Sequence, residues 1–237
     1  MSISRRKVLS ACAASAAVVI RTAGAAESTD GAGSGHPVQG IDVSRWQSAV
    51  DFGRVKHAGI RFCICKATEG IHHVDPRFAA NWPAMAAAGL IRGGYHFGRP
   101  AADAAAQADF VFETVRPQPG DLPIVLDLEK DDGLPPQEVR AWTEAFVNRL
   151  RELMRAPPII YTGFYFWRDK AGDGDSLGCP LWLAAYVEDP VKYVPRGWQT
   201  WSMWQYTSKG SVPGVKGNVD RDAWQGDLAS LDALRLK

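Results

Sequence analysis

Residues 122–162 read LPIVLDLEKDDGLPPQEVRAWTEAFVNRLRELMRAPPIIYT, and this stretch decides the fold. Its opening, 122–129, is a short apolar run that ends in acid, the pattern of a buried strand reaching a polar edge. Apolar residues then recur at helical spacing from Pro136 to Met154, which predicts a helix. A second apolar run, 159–162, predicts another strand. Strand, helix and strand in succession form a crossover unit, which implies parallel strands in one sheet.

The same rhythm extends upstream. Strands are expected at 38–44, 60–67 and 91–97, with helices at 48–58, 76–88 and 102–115. After about residue 170 it changes: 181–186, 202–207 and 218–223 look like strands, but the segments between them are rich in Gly, Pro and Trp and show no amphipathic helix. Eight strands with about five helices predict a single α/β domain, a reduced TIM-like barrel of five βα units followed by three strands with few helices. A complete (β/α)₈ barrel takes about 250 residues. An open doubly wound sheet competes, but no G-x-G-x-x-G turn follows the first strand.

The 237 residues are 46% hydrophobic and 22% charged, with a formal net charge of +1. A disordered chain would be poorer in apolar residues, and a dedicated nucleic-acid binder would need a concentrated excess of Lys and Arg. Residues 1–25 read as an export signal. Arg5, Arg6 and Lys7 form a basic region, 8–20 a small apolar one, and Ala23-Gly24-Ala25 fits a cleavage site. The paired arginines make the signal twin-arginine-like, so a periplasmic or extracellular location is expected. The apolar run is too short for a stable membrane span. Residues 26–37 read as a flexible linker and 38–237 as the barrel domain. Losing Arg5, Arg6, Lys7 and Arg21 with the signal turns the balance from +1 to −3.

Cys63 and Cys65 alternate with Phe62 and Ile64, so they share one strand face and act as small hydrophobes. No Cys or His spacing fits a metal site, and neither metal nor cofactor is expected.

The chemistry is expected at strand ends. Asp127 and Glu129 share a face, with Cα atoms about 7 Å apart at about 3.3 Å per residue. Two carboxylates crowded at the end of a buried strand repel each other and are partly desolvated, which tends to raise one pKa and keep a proton available near neutrality. Asp42 lies between Ile41 and Val43 in the first strand, and Asp220 has the equivalent place in the last. First and last strands are neighbours in a closed barrel, so four carboxylates converge at one mouth, as acids or as structural hydrogen-bond acceptors.

Seven motifs in order complete the reading: Gly40-Ile-Asp42-Val-Ser44-x-x-Gln47, Lys66-Ala-Thr-Glu-Gly70, Gly94-Tyr95-His-Phe97, Asp127-Leu-Glu129, Trp182-Leu-Ala-Ala-Tyr186, Trp204-Gln205-Tyr206-Thr207 and Val219-Asp220. Together they resemble the successive strand motifs of glycoside hydrolase family 25, lysozymes (N-acetylmuramidases) with a flattened barrel of five βα units and three further strands. The resemblance implies hydrolysis of the β-1,4 bond between N-acetylmuramic acid and N-acetylglucosamine in peptidoglycan, by a monomer acting on glycan strands. It implies Glu129 as general acid and Asp127 as the carboxylate that stabilises the transition state or orients the substrate acetamido group. Asp42 and Asp220 match two supporting aspartates. Tyr95, Tyr161, Trp182, Tyr186 and Gln205 fall at the mouth and are the expected sugar contacts, while His96 alternates to the opposite face from Tyr95 and is expected to be buried. Lys66 and Glu69 are expected to pair and brace the site. Two other functions compete: a chitinase-like N-acetylglucosaminide hydrolase, of whose D-G-x-D-x-D-x-E pattern only the final D-x-E survives here, and a noncatalytic wall-binding module.

Overall fold

The computed structural model describes Gly33 and residues 35–237. The expected export signal and most of the expected linker lie outside the described residues. Nine strands form one sheet: β1 (Val38–Val43), β2 (Ile60–Glu69), β3 (His73–Val74), β4 (Ile91–Phe97), β5 (Val125–Asp127), β6 (Ile159–Gly163), β7 (Leu181–Ala184), β8 (Met203–Gly210) and β9 (Val219–Trp224). The order β1-β9-β8-β7-β6-β5-β4-β2 closes through a β1–β2 pairing, so eight strands make the barrel. β3 is a two-residue addition that pairs only with β2.

Pairings from β1 through β2 and β4 to β8 are parallel, as the crossover rhythm predicts. β9 runs antiparallel to both β8 and β1. With no helix between β8 and β9, the chain turns back at once, and a tight return can only give an antiparallel neighbour.

Among the described residues six α-helices accompany the strands: α1 (Phe52–His57), α2 (Phe78–Ala87), α3 (Ala104–Val115), α4 (Pro136–Met154), α5 (Phe164–Lys170) and α6 (Leu228–Leu234). Asp51, Asp103 and Asp227 cap α1, α3 and α6 by accepting from a backbone N–H in the first turn. α6 has no counterpart in the sequence reading. It follows β9 at the far end of the barrel from the mouth, and its Leu231 and Leu234 join the interior cluster with Val38, Leu122 and Trp224. The helix therefore plugs the closed end. β5 is shorter than the expected 122–129, but its flanks remain bonded on both sides: Leu122 donates to the Arg92 carbonyl and Leu128 to that of Tyr161, each at 2.9 Å.

Three apolar layers result from the strict alternation of strand residues. Phe62, Ile64, Val125, Ile159, Trp182 and Met203 fill the barrel interior. Gly40 faces the same interior, where a Cβ would lie 2.3 Å from the Phe62 ring, so only glycine admits that ring. Cys63, Cys65, Ile124, Leu126 and Ile160 point outward against helix residues such as Val111, Phe146 and Leu150. Cys63 and Cys65 are free thiols inside this layer, with the raised pKa values that burial imposes. Around β7, β8 and β9 the outer layer is aromatic: Trp201, Trp204 and Tyr206 over Leu181, Leu183 and Ala223. His36 meets Trp201 edge-on at 5.0 Å, and the Gly33 carbonyl accepts from Gln39 at 2.7 Å. No helix among the described residues is long and apolar enough to cross a membrane.

Candidate active site

In parallel strands the carboxyl ends gather at one face, and there β1, β5, β6 and β7 deliver their last residues. β9, being reversed, contributes its first. In the β1–β9 register Asp42 stands directly opposite Asp220, a pairing that brings Cα atoms to about 5 Å. Asp222, two residues on, shares the inward face and lies opposite Gly40 and Gln205. Asp127 ends β5, with Glu129 just beyond it. Five carboxylates thus meet at the mouth, one more than the sequence reading found. Asp222 was legible: Asp220-Arg221-Asp222 has the spacing of Asp127-Leu128-Glu129.

Every one of the five is pushed above the usual carboxylate range. For Asp42 burial comes first, then the charges of Asp220 and Asp222; a hydrogen bond from Gln205 works the other way. Burial also leads for Asp127, followed by Glu129. Glu129 is raised by burial, against the lowering influence of Lys130 and Lys66. Asp220 is pushed up to about 6 by burial and then by Glu129. Asp222 is raised well above its ordinary value by burial and then by Asp220, despite a hydrogen bond from Trp182. Few cations oppose this cluster, so it retains protons at a pH where free carboxylic acids have lost theirs.

The exposures separate the members. Asp127 is only 7% exposed and its Oδ1 is buried without a hydrogen-bond partner among the described residues. Glu129 is half-buried, so it reaches the groove.

Neutral groups hold the other side of the mouth. Gln205 donates from Nε2 to Asp42 Oδ2 at 2.7 Å, while its Oε1 accepts from Tyr161 at 2.9 Å and Tyr186 at 2.8 Å. One amide on β8 therefore links β1, β6 and the residues after β7. Trp182 donates from Nε1 to Asp222 Oδ1 at 2.9 Å and meets Tyr161 edge-on at 4.7 Å. At 2% exposure its indole fills the barrel interior, and its influence on the mouth runs through Asp222. Tyr95 and Tyr186 are half-buried, and of the five expected sugar contacts they offer the most surface to a ligand.

Lys66 and Glu69 pair at 2.7 Å beside the acids. His96 faces away from the mouth: Nδ1 lies 2.7 Å from Thr68 Oγ1 and Nε2 2.9 Å from Gln107 Oε1. Burial lowers its pKa to about 4, so it is neutral and belongs to the layer under the helices. Sequence reasoning passed over Trp46, which stands 75% exposed just beyond β1 with the Arg45 guanidinium 4.7 Å from its ring centre.

A barrel mouth with crowded, partly protonated carboxyls from β1, β9 and β5, and amide and aromatic groups from β6 to β8 between them, has the parts required by an enzyme that breaks glycosidic bonds. The family model described as "Glycosyl hydrolases family 25" matches residues 41–215. Lysozyme M1 of Streptomyces globisporus is 39% identical over 225 residues, 90% of this chain and 76% of that protein. The N,O-diacetylmuramidase of Chalaropsis sp. is 35% identical over 202 residues, covering 77% of this chain and 96% of its own. Among solved structures, a bacterial lysozyme from Streptomyces coelicolor superposes with a TM-score of 0.79 at 38% identity, over 84% of this chain and 96% of that one. The chain belongs to glycosyl hydrolase family 25 and is a glycoside hydrolase.

Proposed function

We propose that the protein is a lysozyme, an N-acetylmuramidase that hydrolyses the β-1,4 bond between N-acetylmuramic acid and N-acetylglucosamine in peptidoglycan. The observation that carries this reading is the pair at the end of β5: two carboxyls on one face, both with raised pKa values, of which Glu129 reaches the groove and Asp127 is buried. The activities for which the Streptomyces and Chalaropsis relatives are named support it.

Glu129 gives its proton to the glycosidic oxygen as the bond to the anomeric carbon breaks. Positive charge then develops on that carbon and the ring oxygen. Asp127 orients the acetamido group of the muramic sugar, whose carbonyl oxygen closes on the anomeric carbon from the opposite face. Water opens this intermediate after losing a proton to the Glu129 carboxylate, which restores the acid. Carboxyls this close on one strand suit assistance by the substrate, because they leave little room for a separate nucleophile and acid on opposite faces. Burial keeps Glu129 protonated, and Asp220, ionised above about 6, supplies negative potential that stabilises the developing cation, with Asp42 beside it as a hydrogen-bonded support. Tyr95, Tyr161, Trp182, Tyr186 and Gln205 shape the sugar site, the buried ones by positioning their neighbours.

We also infer that the enzyme is exported by a twin-arginine-type signal, 1–25, joined through the 26–37 linker to a barrel that acts as a monomer, without a cofactor.

Digestion of purified peptidoglycan, with mass analysis of the products, should place the new reducing end on N-acetylmuramic acid. A reducing end on N-acetylglucosamine, or equal turnover of chitin, would overturn the muramidase reading. Glu129→Gln keeps volume and removes the proton donor, so turnover should fall by about 10³-fold or more with glycan binding retained. Near-wild-type turnover in that variant would remove Glu129 from its role.

A further inference from the structure

Beside the acid cluster, where β1, β2 and β4 end, the surface forms an open depression of ≈ 390 Å³ lined by Arg45, Glu69, Ile71, His72, His73 and Arg99. It holds a single carboxylate, which is already engaged on both oxygens. Glu69 accepts from Lys66 at 2.7 Å on Oε2 and from Arg99 at 3.2 Å on Oε1. Burial works to raise its pKa, but Lys66 and Arg99 outweigh that and hold it low, so Glu69 is charged and internally neutralised. Arg99 also pairs with Asp132 at 2.8 Å.

Arg45 is different. It is exposed and has no carboxylate partner among the described residues. Its backbone is nevertheless held firmly, because the buried Asp75 carboxylate accepts from the Arg45 N–H at 3.1 Å and from the Arg77 N–H at 2.8 Å. His72 adds a second exposed ring, and His73 Nε2 is buried without a hydrogen-bond partner among the described residues. The one carboxylate of the lining is neutralised and the Arg45 guanidinium is its unpaired charge among the described residues, so the depression favours an anion.

The depression also adjoins the reacting bond. Lys66, which acts electrostatically on both Asp127 and Glu129, bonds Glu69, and Glu69 in turn bonds Arg99. If the muramic sugar sits over Asp127 and Glu129, the lactyl ether on its third carbon carries a peptide away from the cleft, and that peptide bears free carboxylates. We propose that this depression binds a carboxylate of the peptide stem of peptidoglycan through Arg45, with Arg99 already neutralised by Glu69 and Asp132. The inference rests on the muramidase reading. It also explains how a domain whose expected mature charge is −3 engages an anionic polymer: attraction is local, at one point beside the cleft, rather than spread over the surface.

The test uses two substrates, glycan strands with their stems and the same strands stripped of peptide by an amidase. In Arg45→Gln the ratio of kcat/KM on stem-bearing over stripped strands should fall about tenfold, mainly through KM, with partial recovery in Arg45→Lys. Added salt should lower the wild-type ratio and leave that of the glutamine variant nearly flat. A ratio equal to wild type in Arg45→Gln would overturn the proposal. So would a wild-type preference that follows removal of wall phosphate rather than of peptide. If the wild type releases no reducing ends from either substrate, the muramidase reading fails by itself. Calorimetric binding of a disaccharide peptide against the peptide-free disaccharide then decides the stem site: equal affinities overturn it, and a gap that closes in Arg45→Gln upholds it.

Discussion

The barrel has two kinds of wall. From β1 through β6 the outward side chains are small or aliphatic, and helices lie on them: Cys63, Cys65, Leu126 and Ile160 meet Val111, Phe146 and Leu150. From β7 through β9 no α-helix among the described residues joins the outer cluster, and Trp201, Trp204 and Tyr206 take that place, with His36 against the two indoles. An outward strand face must be kept from water, but the cover need not be a helix; a few indoles bury comparable area per residue. Buried indole N–H groups then need acceptors: Trp204 donates to the Ala185 carbonyl at 2.6 Å and the neighbouring Trp198 to that of Cys179 at 2.7 Å, whereas Trp201 Nε1 is buried without a partner among the described residues.

The inner faces differ as well. The helix-clad wall carries Asp127 and Glu129, whereas the aromatic wall carries Gln205, Trp182 and Tyr186, the neutral donors and acceptors that hold Asp42 and Asp222 in place. The acid pair at β5 thus stands across one mouth from Asp220 and Asp222 and the neutral groups beside them.

The comparison can be broken at its most loaded point. Trp204→Ala should destabilise the fold by about 3–5 kcal/mol, read from chemical denaturation, because no helix stands behind it. Val147→Ala, on the buried face of α4, should cost no more than half as much. Equal losses would mean that the two walls are clad equivalently.

Gln205→Leu tests the positioning role. It removes the link between Asp42, Tyr161 and Tyr186 without touching the acids on β5, so kcat should fall about 10- to 100-fold, the worth of one or two hydrogen bonds to a charged group. The pH profile should change with it, because the Gln205 bond lowers the Asp42 pKa and its loss leaves Asp42 protonated to higher pH. An unaltered profile would reduce Gln205 to packing.

The smallest effect concerns stability. Asp220 has a folded pKa of about 6, against 3.8 in the unfolded chain. The folded state binds the extra proton within that window, so stability is present below it and is lost as pH rises through it. Asp220→Asn should therefore raise Tm by a few degrees at pH 7, and the gain should vanish near pH 3.5. His96, whose pKa falls to about 4, acts with the opposite sign: its contribution is lost as pH drops from 6.5 towards 4. A calorimetric series in pH for both proteins separates the two, since only the Asp220 contribution is absent from the variant.

Much of this was legible in one dimension. The helix at Pro136–Met154 agrees with the spacing at both ends, because a long amphipathic helix writes its period many times over. Asp127 and Glu129 were legible because two carboxylates at the end of an apolar strand have few structural uses. Asp222 was missed beside Asp220 although strand alternation puts both on one face. α6 was missed although Asp227 signals a cap, since seven residues give too short a period to stand out. The depression holding Arg45 and Arg99 carried no linear signal: its lining comes from three separate stretches, at Arg45, at 69–73 and at Arg99.

The sequence by itself determined the crossover units, the faces of each strand, the family resemblance and the residues able to hold a proton. Alternation and helical period are local, so they survive in the unfolded chain. Tertiary structure alone decided that β9 runs backwards, which puts Asp220 across from Asp42 and Asp222 against Trp182. It also decided the raised pKa values of the five carboxyls. Those shifts come first from burial, which only the folded barrel supplies, and at Asp42 and Asp220 also from neighbours on other strands that closure brings together.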